Sequence, residues 1–378
     1  MEEATRQDWR RRAAAFAGAE IAPQAEALAR AETIPDALWR GFGAAGLFTL
    51  ALPAAYGGAG GDFRALAGVA EALVAAGGNM GVVLSWLSHQ LISGMHIAGQ
   101  GTPAQQAQYL PALARGALTP CLAVSEPGAG AHPKHLATTA VADGDAVVLN
   151  GRKAYLTNGP LADLFLVLAV SGEQAGRKQF SVYLLPRDTP GLPLTEGVAV
   201  DFLKPSPHGG LELTDCRLPA DSRLGPAGEA MAVISLSMRR AEDALFAASA
   251  AGALSHATGL LAADGRAGWT DAQTTELGRL AAAAAGLGAL ARQAAAQLDA
   301  GTVDTVLALA AAARDWGGML LPRLQALAGE TPAPRLAALL RDLAGVLSIA
   351  GSVQEIRARQ RGQSLLEQAA EDNADQVT

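Results

Sequence analysis

Residues Cys121–Gly130 read CLAVSEPGAG, and residues Asn150–Gly159 read NGRKAYLTNG. Both lie between positions 118 and about 218, where short β-favouring runs such as Leu164–Ala169 and Phe180–Leu185 replace helical patterns. Turn pairs such as Asp143-Gly144 separate these runs, and short strands divided by turn residues are typical of antiparallel sheets. The middle of the chain therefore predicts an antiparallel sheet or barrel.

The sequence on both sides of this region favours helices. Residues 1–117 contain helical patterns punctuated by Pro35 and by the glycine pairs near position 60. From position 219 onward Ala, Leu, Arg and Gln dominate, with few β-branched residues. The alanine-rich stretches are helix-favouring and indicate a bundle. We therefore predict an α+β protein with three domains, a helical domain over 1–117, a β domain over 118–218 and a helical bundle over 219–378.

Composition excludes several classes of protein. The 378 residues are 50% hydrophobic, which is enough for a large core. Lys plus Arg number 29 against 36 Asp plus Glu, for a net charge of −7, so nothing indicates a nucleic-acid partner. Cys121 and Cys216 are far apart, which favours two reduced, packed thiols over a disulfide framework or a zinc site.

The sequence also argues against a membrane location. The first residues, MEEATRQDWRRR, have no apolar core of a signal peptide. No Asp, Glu, Lys or Arg lies between Glu71 and Arg115, but polar residues such as Asn79, Ser88 and His89 interrupt that stretch. A spanning helix needs about 20 predominantly apolar residues. We therefore expect buried helices here, and a cytoplasmic protein.

Two motif matches fail in context. Gly286-x-Gly288-x-x-Ala291 has the spacing of a dinucleotide-binding loop, but it lies within a helical pattern with no preceding strand. His132-x-x-His135 has no nearby cysteine or carboxylate to complete a metal site, so we expect no metal.

Several motifs in order carry a family resemblance. Leu47–Gly61 reads LFTLALPAAYGGAGG, Thr102–Gly116 reads TPAQQAQYLPALARG, and the segments Cys121–Gly130 and Asn150–Gly159 follow. This succession resembles the acyl-CoA dehydrogenase family of flavoproteins. The resemblance implies an N-terminal helical domain, a middle β-barrel-like domain and a C-terminal four-helix bundle. It also implies FAD held between the middle and C-terminal domains, and a homodimer or homotetramer in which a neighbouring subunit contacts the cofactor.

The resemblance assigns roles around the flavin. Loss of an α proton and transfer of a β hydride to flavin require a base and a well-placed cofactor. Leu122 and Val124 are implied to give backbone contacts to FAD, and the Ser125 hydroxyl to support the flavin. Tyr155 matches the aromatic position over the flavin, and Thr157 the hydroxyl near its N5 atom. Taken singly, Ser125 could shape a turn and Tyr155 could be barrel core.

The family's usual catalytic base is replaced in this sequence. Residues 341–354 read RDLAGVLSIAGSVQ and resemble the segment that ends in a catalytic Glu-Gly-Thr, yet Ala350 stands at the glutamate position. Isovaleryl-CoA and long-chain acyl-CoA dehydrogenases carry the base on an earlier helix, and Glu242 occupies the matching position here. Alternatively, Glu242 and Asp243 are acids near a helix start that favour the helix dipole. Asp243 departs from the family's arginine, and two adjacent carboxylates can raise one pKa.

Contacts to the rest of FAD are less well preserved. Arg266-x-x-Trp-Thr is the nearest match to the Arg-x-x-Phe-Gly motif whose arginine reaches the FAD pyrophosphate of a neighbouring subunit. Gln325 and Gly329 are what remains of a Gln-x-x-Gly-Gly-x-Gly segment. Ser352 and Gln354 keep a hydroxyl and an amide suited to the adenosine half.

Three functions stay open from the sequence. The first is an FAD-dependent acyl-thioester α,β-dehydrogenase that passes electrons to an electron-transferring flavoprotein or to oxygen. The second is a non-catalytic subunit or pseudoenzyme, which Ala350 and Asp243 favour. The third is an oxidase or monooxygenase with the same fold. Ala131-His132, followed by Pro133, stands where the family often has Ser-Asp, which suggests an unusual CoA ester or an acyl group on a carrier protein.

Overall fold

The computed structural model describes residues 1–198, 200–264, 268–349 and 351–375, with the side chains of 352 and 369–375 outside the description. Helices occupy both ends of the chain and a sheet occupies the middle. This is the α+β arrangement that the sequence predicts.

The N-terminal domain is helical throughout, with helix starts that the sequence encodes. Asp62 accepts a hydrogen bond from the Ala65 amide at 2.9 Å and caps α4, and Thr102 and Gln105 form a reciprocal capping box at α6. Such caps satisfy amides that have no partner within the helix. A π-helical segment, Leu91–Ala98, prolongs α5. The helices are α1 Glu3–Phe16, α2 Ala25–Leu28, α3 Asp36–Ala44, α4 Phe63–Gly77, α5 Met80–Gln90 and α6 Pro103–Ala114.

The middle domain is one mixed sheet. Its strands run in the order β6-β7-β3-β2-β4-β5-β8, and β1 pairs with β4. The β1–β4 and β2–β4 pairings are parallel, whereas the others described are antiparallel. The strands are β1 Pro120–Ala123, β2 Thr139–Asp143, β3 Ala146–Thr157, β4 Leu164–Gln174, β5 Arg177–Pro186, β6 Leu194–Thr195, β7 His208–Pro219 and β8 Arg223–Leu224.

The two faces of the inner strands pack against different cores. Along β1, Cys121 and Ala123 belong to the core inside the sheet domain, whereas Leu122 packs against the helical core. Along β4, Phe165 and Val167 face inward while Leu166 and Leu168 face the helices. Burial on both faces explains why β4 reads as a continuous apolar run rather than an alternating one.

The C-terminal domain is a bundle in which α7, α8, α9 and α10 pack on one another, and α11 follows as a further helix. Thr270 and Gln273 form a capping box at the start of α8. The helices are α7 Ser237–Ala263, α8 Asp271–Asp299, α9 Val303–Ala328, α10 Pro334–Ser348 and α11 Gly351–Asp375.

Helix length and hydropathy identify one membrane-span candidate among the described residues, Met231–Ala263. Within its most apolar window, 72% of the residues are buried inside the protein. A bent pair, Pro334–Ser348 with Val353–Gln368, passes the same test together. Length and composition of this kind are shared by core helices.

The N-terminal and C-terminal helices share one hydrophobic core. Helix α4 packs on α7 and α8. At Gly252 of α7, a Cβ atom would lie 2.5 Å from the Glu71 carbonyl oxygen and 3.0 Å from Val74 Cβ. Glycine therefore sets how closely α4 and α7 approach. Glu71 itself pairs with Arg292 of α8.

Candidate active site

The end of β1 brings three of the predicted cofactor-binding residues to the edge of the sheet domain. Leu122 and Val124 point to the helical core, and Leu122 is only partly buried. The Ser125 carbonyl accepts a hydrogen bond from the Ala154 amide at 2.9 Å, which joins this segment to β3. Within the described residues, the Ser125 hydroxyl has no hydrogen bond, and the side chain is partly exposed. It is therefore available to a bound group.

A buried ion pair stabilises the segment that follows β1. Lys153 Nζ donates to the Val124 carbonyl at 3.0 Å and to Glu126 Oε1 at 2.9 Å, and the lysine side chain has no exposed surface. Glu126 also accepts from the amides of Ala137 and Thr138 at 2.8 and 2.9 Å. Burial lowers the pKa of Lys153 to about 8, and Glu126 opposes that change. The pair fixes the Ser-Glu-Pro segment in place.

A bulge in β3 places Tyr155 outside the sheet core. The register with β7 shifts between Lys153 and Leu156, and Tyr155 takes a φ of 60°. A bulge bends the strand and redirects a side chain. The Tyr155 side chain is consequently 46% exposed, so it is not a core residue of the barrel.

Thr157 ends β3 opposite His208, the first residue of β7. The Thr157 hydroxyl oxygen lies 3.3 Å from His208 Nε2, and His208 Nδ1 lies 3.0 Å from the Ser206 carbonyl oxygen. Next to them, Asn158 is fully buried and its Oδ1 atom has no partner among the described residues. A buried acceptor without a partner calls for water or a bound donor.

Glu242 lies on α7 with partial exposure, and its carboxylate makes no hydrogen bond within the described part of the chain. Burial raises the pKa of Glu242 to about 7, Arg239 opposes the rise and Asp243 adds to it. Helix α7 packs against α5, and α5 packs against β1. Because its pKa is about 7, the Glu242 carboxyl group can gain and lose a proton near neutral pH.

Asp243 has a different role from its neighbour. It is buried and accepts from Arg239 at 2.7 Å and from Arg357 of α11 at 3.1 Å, with Arg314 Nη2 at 3.8 Å. Arg314 also donates to the carbonyls of Leu347 and Ile349 at 2.7 and 2.8 Å, where α10 ends. Asp243 is therefore not a simple surface acid at a helix start, because it ties α7 to α9 and α11.

Gln354 is the adenosine-side candidate that the structure places near this cluster. It is partly buried and lines a small cavity with Asp243, Phe246 and Arg314. It also borders an open cavity of about 1030 Å³ between α9 and α11.

Gln325 and Gly329 lie elsewhere in the monomer. Gln325 is exposed near the carboxyl end of α9, about 16 Å along the helix from Arg314 by the helical rise, and the exposed Gly329 directly follows the helix. Arg323 pairs with Glu276 at 2.7 Å, so this end of α9 meets the start of α8. The prediction for Arg266 lies outside the described residues, as do Ala350 and the side chain of Ser352. Within one chain, Gln325 and Gly329 are not brought together with Gln354.

Sequence reasoning missed the residues that support the site. Lys153 could have been noticed as a charged residue within an alternating strand pattern, and Glu126 as the acid inside the Ser-Glu-Pro segment. His208 and Arg314 gave no local signal, because their partners are distant in sequence.

His132 and His135 have ring centroids 4.8 Å apart on an exposed loop, and no group of three potential metal ligands occurs among the described residues.

The residues at the sheet edge fit a planar heteroaromatic cofactor. Tyr155 offers an exposed ring for stacking, and Ser125 and Thr157 offer hydroxyl groups. The partly exposed Ser125 hydroxyl, which has no hydrogen-bond partner among the described residues, is the observation behind this fit.

Comparison with known proteins agrees with this architecture. Residues 3–117 match the family model for the acyl-CoA dehydrogenase N-terminal domain, and residues 121–216 match the model for the acyl-CoA dehydrogenase middle domain. The chain belongs to the acyl-CoA dehydrogenase family.

Among curated relatives, the mitochondrial short-chain specific acyl-CoA dehydrogenase of Mus musculus is 33% identical over 56% of this chain and 51% of its own length. The chain therefore spans about half the length of that relative in the match. Among solved structures, an acyl-CoA dehydrogenase from Geobacillus kaustophilus has a TM-score of 0.82 at 24% identity, covering 95% of this chain and 98% of that one. The prolyl acyl carrier protein oxidase AnaB has a TM-score of 0.83 at 23% identity over 95% and 99%.

Proposed function

We propose that this protein is an FAD-dependent oxidoreductase that removes hydrogen from the α and β carbons of an acyl thioester. Glu242 is the observation that carries the proposal. It is a carboxylate on α7 without a hydrogen-bond partner among the described residues, and burial brings its pKa to about 7. A base with a pKa near the working pH combines a substantial ionised fraction with adequate basicity.

In this proposal Glu242 takes the α proton of the thioester while the α–β double bond forms. Bound FAD supplies the acceptor for the β hydride. Tyr155 would hold the ring system by stacking, and the hydroxyls of Ser125 and Thr157 would contact its polar edge. The Lys153–Glu126 pair holds the Ser125 segment rigid, which preserves the geometry that such a transfer requires.

The same chemistry suits an acyl group on CoA or on the phosphopantetheine arm of a carrier protein. AnaB, which shares this fold, is a prolyl acyl carrier protein oxidase, and this likeness supports testing both kinds of thioester. We further propose a homodimer or homotetramer. Exposed apolar side chains on α11, including Ile356, Leu365 and Leu366, and the separation of Gln325 from Gln354 favour a cofactor site completed by a second subunit.

The test begins with the absorbance spectrum of the purified protein, before and after incubation with FAD and desalting. Flavin retained near one per chain supports the proposal. Matched acyl-CoA and carrier-bound thioesters are then added anaerobically, and bleaching of the flavin is followed at several pH values. We expect bleaching that accelerates as pH rises through about 7, because Glu242 must be ionised.

Glu242→Gln is expected to keep the flavin and to lose bleaching by at least a hundredfold, as removal of a general base does. Glu20→Gln, a change of an exposed acid, is the matched control. A chain that cannot retain FAD favours the non-catalytic subunit. Retained FAD with bleaching that does not depend on Glu242 favours different flavin chemistry, such as oxygenation.

A further inference from the structure

We propose that His208 is a positioning residue that fixes the hydroxyl of Thr157 as a donor toward itself. Thr157 then offers oxygen lone pairs, and not a proton, to the flavin beside it. This inference rests on the proposed function, since it takes Thr157 to face FAD.

The Ser206 carbonyl sets the tautomer of His208. Nδ1 lies 3.0 Å from that oxygen, and a carbonyl oxygen can only accept a hydrogen bond. Nδ1 must therefore carry a proton. The contact joins residues two apart in the turn that enters β7, so it is local and short.

The surroundings of His208 favour the neutral imidazole. Burial lowers the pKa of His208 below its usual value, and the Ser206 carbonyl opposes that change only in part. A neutral ring with its proton on Nδ1 has a lone pair on Nε2. Since Nε2 lies 3.3 Å from Thr157 Oγ1, the threonine hydroxyl must be the donor in this contact.

Neighbouring contacts keep the pair in this arrangement. The Asn158 amide donates to the Pro207 carbonyl at 2.9 Å, and the hydroxyls of Ser85 and Ser206 lie 2.9 Å apart. Thr157 and His208 are also paired in the β3–β7 register. The hydroxyl is thus oriented before any ligand binds.

The orientation discriminates between two states of a flavin. The N5 atom of an oxidised flavin is an acceptor, whereas in the fully reduced flavin it carries a proton. A threonine that has committed its proton to His208 can accept from the reduced form and cannot donate to the oxidised form. His208 thereby favours reduction of the bound flavin.

The test is the two-electron reduction potential of the FAD-loaded protein, measured anaerobically against a reference dye. His208→Leu removes the acceptor and frees the Thr157 proton. We expect the equilibrium ratio of reduced to oxidised flavin at a fixed potential to fall about tenfold, which is about 30 mV for a two-electron couple. His135→Leu on the exposed loop should leave the ratio unchanged. In a Thr157→Val background, His208→Leu should have no further effect.

A second measurement needs no flavin and is made on the parent protein, with His208→Leu used only to assign the signal. The ring nitrogen shifts of ¹⁵N-histidine-labelled protein report the protonation of each nitrogen, and the His208→Leu spectrum assigns the signal. We expect a neutral ring protonated at Nδ1. A ring protonated at Nε2, or a ratio unchanged by His208→Leu in a protein that retains FAD, overturns the inference alone. Failure to retain FAD overturns the proposed function instead.

Discussion

Glu242 shows what its surroundings do to the energetics of a single carboxyl group. Its pKa is about 7 in the folded chain against an ordinary value of 4.5, so the folded state binds the proton more tightly than the unfolded state. Stability is therefore lost as pH rises from 4.5 toward 7, and the loss is complete above 7.

Glu242→Gln should remove this loss, because an amide does not titrate. After allowance for partial exposure of the side chain, we expect the variant to exceed the parent by about 1 kcal/mol in free energy of unfolding at pH 8. The difference should shrink at pH 5. Urea denaturation at the two pH values measures it, and an equal difference at both would contradict the assigned pKa.

For Lys153 we expect a substitution to lower stability, because this buried charge has an ion-pair partner. Lys153→Met leaves Glu126 buried without its counter-ion, which should lower the free energy of unfolding by about 3–5 kcal/mol. Adding Glu126→Gln should recover part of that loss. The exposed neighbour Arg152, paired with Glu212, is the control, and Arg152→Met should change stability by less than about 1 kcal/mol. Similar losses for both variants would contradict the role given to the pair.

Among the secondary-structure elements, the end of α10 depends on a residue from another helix. Arg314 of α9 donates to the carbonyls of Leu347 and Ile349, which the last turn of α10 cannot satisfy. Arg314→Met should lower the free energy of unfolding by about 2 kcal/mol, a value typical of hydrogen bonds to charged groups.

Hydrogen exchange locates the effect of that change. Amides from Val346 to Ile349 should exchange faster in Arg314→Met than in the parent protein. Arg323→Met, on the same helix but in an exposed pair with Glu276, should leave these amides unchanged. Protection that is retained at the end of α10 in Arg314→Met would show that the arginine does not cap it.

Elements also differ in how far local sequence determines them. The capping box of Thr102 and Gln105 encodes the start of α6, and the apolar run of β4 encodes a buried strand. The parallel pairing of β1 with β4 is not local, because it depends on where the β2–β3 hairpin returns the chain. The outward Tyr155 likewise depends on a bulge that arises only when β3 pairs with β7.

At the scale of the whole molecule, the interface between the first and last domains depends on close packing of α4 on α7. A Cβ atom at Gly252 would meet backbone atoms of α4, whereas nothing lies within 4 Å of a Cβ atom at Gly259 on the same helix. Gly252→Ala should therefore lower the free energy of unfolding by about 1–3 kcal/mol.

Gly259→Ala is the matched control and should raise stability by about 0.5–1 kcal/mol, because alanine is the better helix former. Thermal and urea unfolding should show changes of opposite sign in the free energy of unfolding of the two variants. A gain in stability for both would mean that α4 and α7 can separate without loss of packing.

The sequence by itself determined the three-domain order, the family and the candidates on β1 and β3. These depend on patterns within a few tens of residues, over which periodicity, turns and motifs can be recognised in the sequence. It also named Glu242, although only the tertiary structure gave that carboxylate its raised pKa, since desolvation comes from packed neighbours.

Tertiary structure alone decided the roles of residues whose partners are far away along the chain. Asp243 pairs with the distant Arg314 and Arg357, His208 contacts Thr157 across two strands, and Gln325 lies apart from Gln354. Hydrogen bonds and ion pairs act over a few ångströms in space, whatever the separation in sequence, and a one-dimensional pattern does not contain those distances.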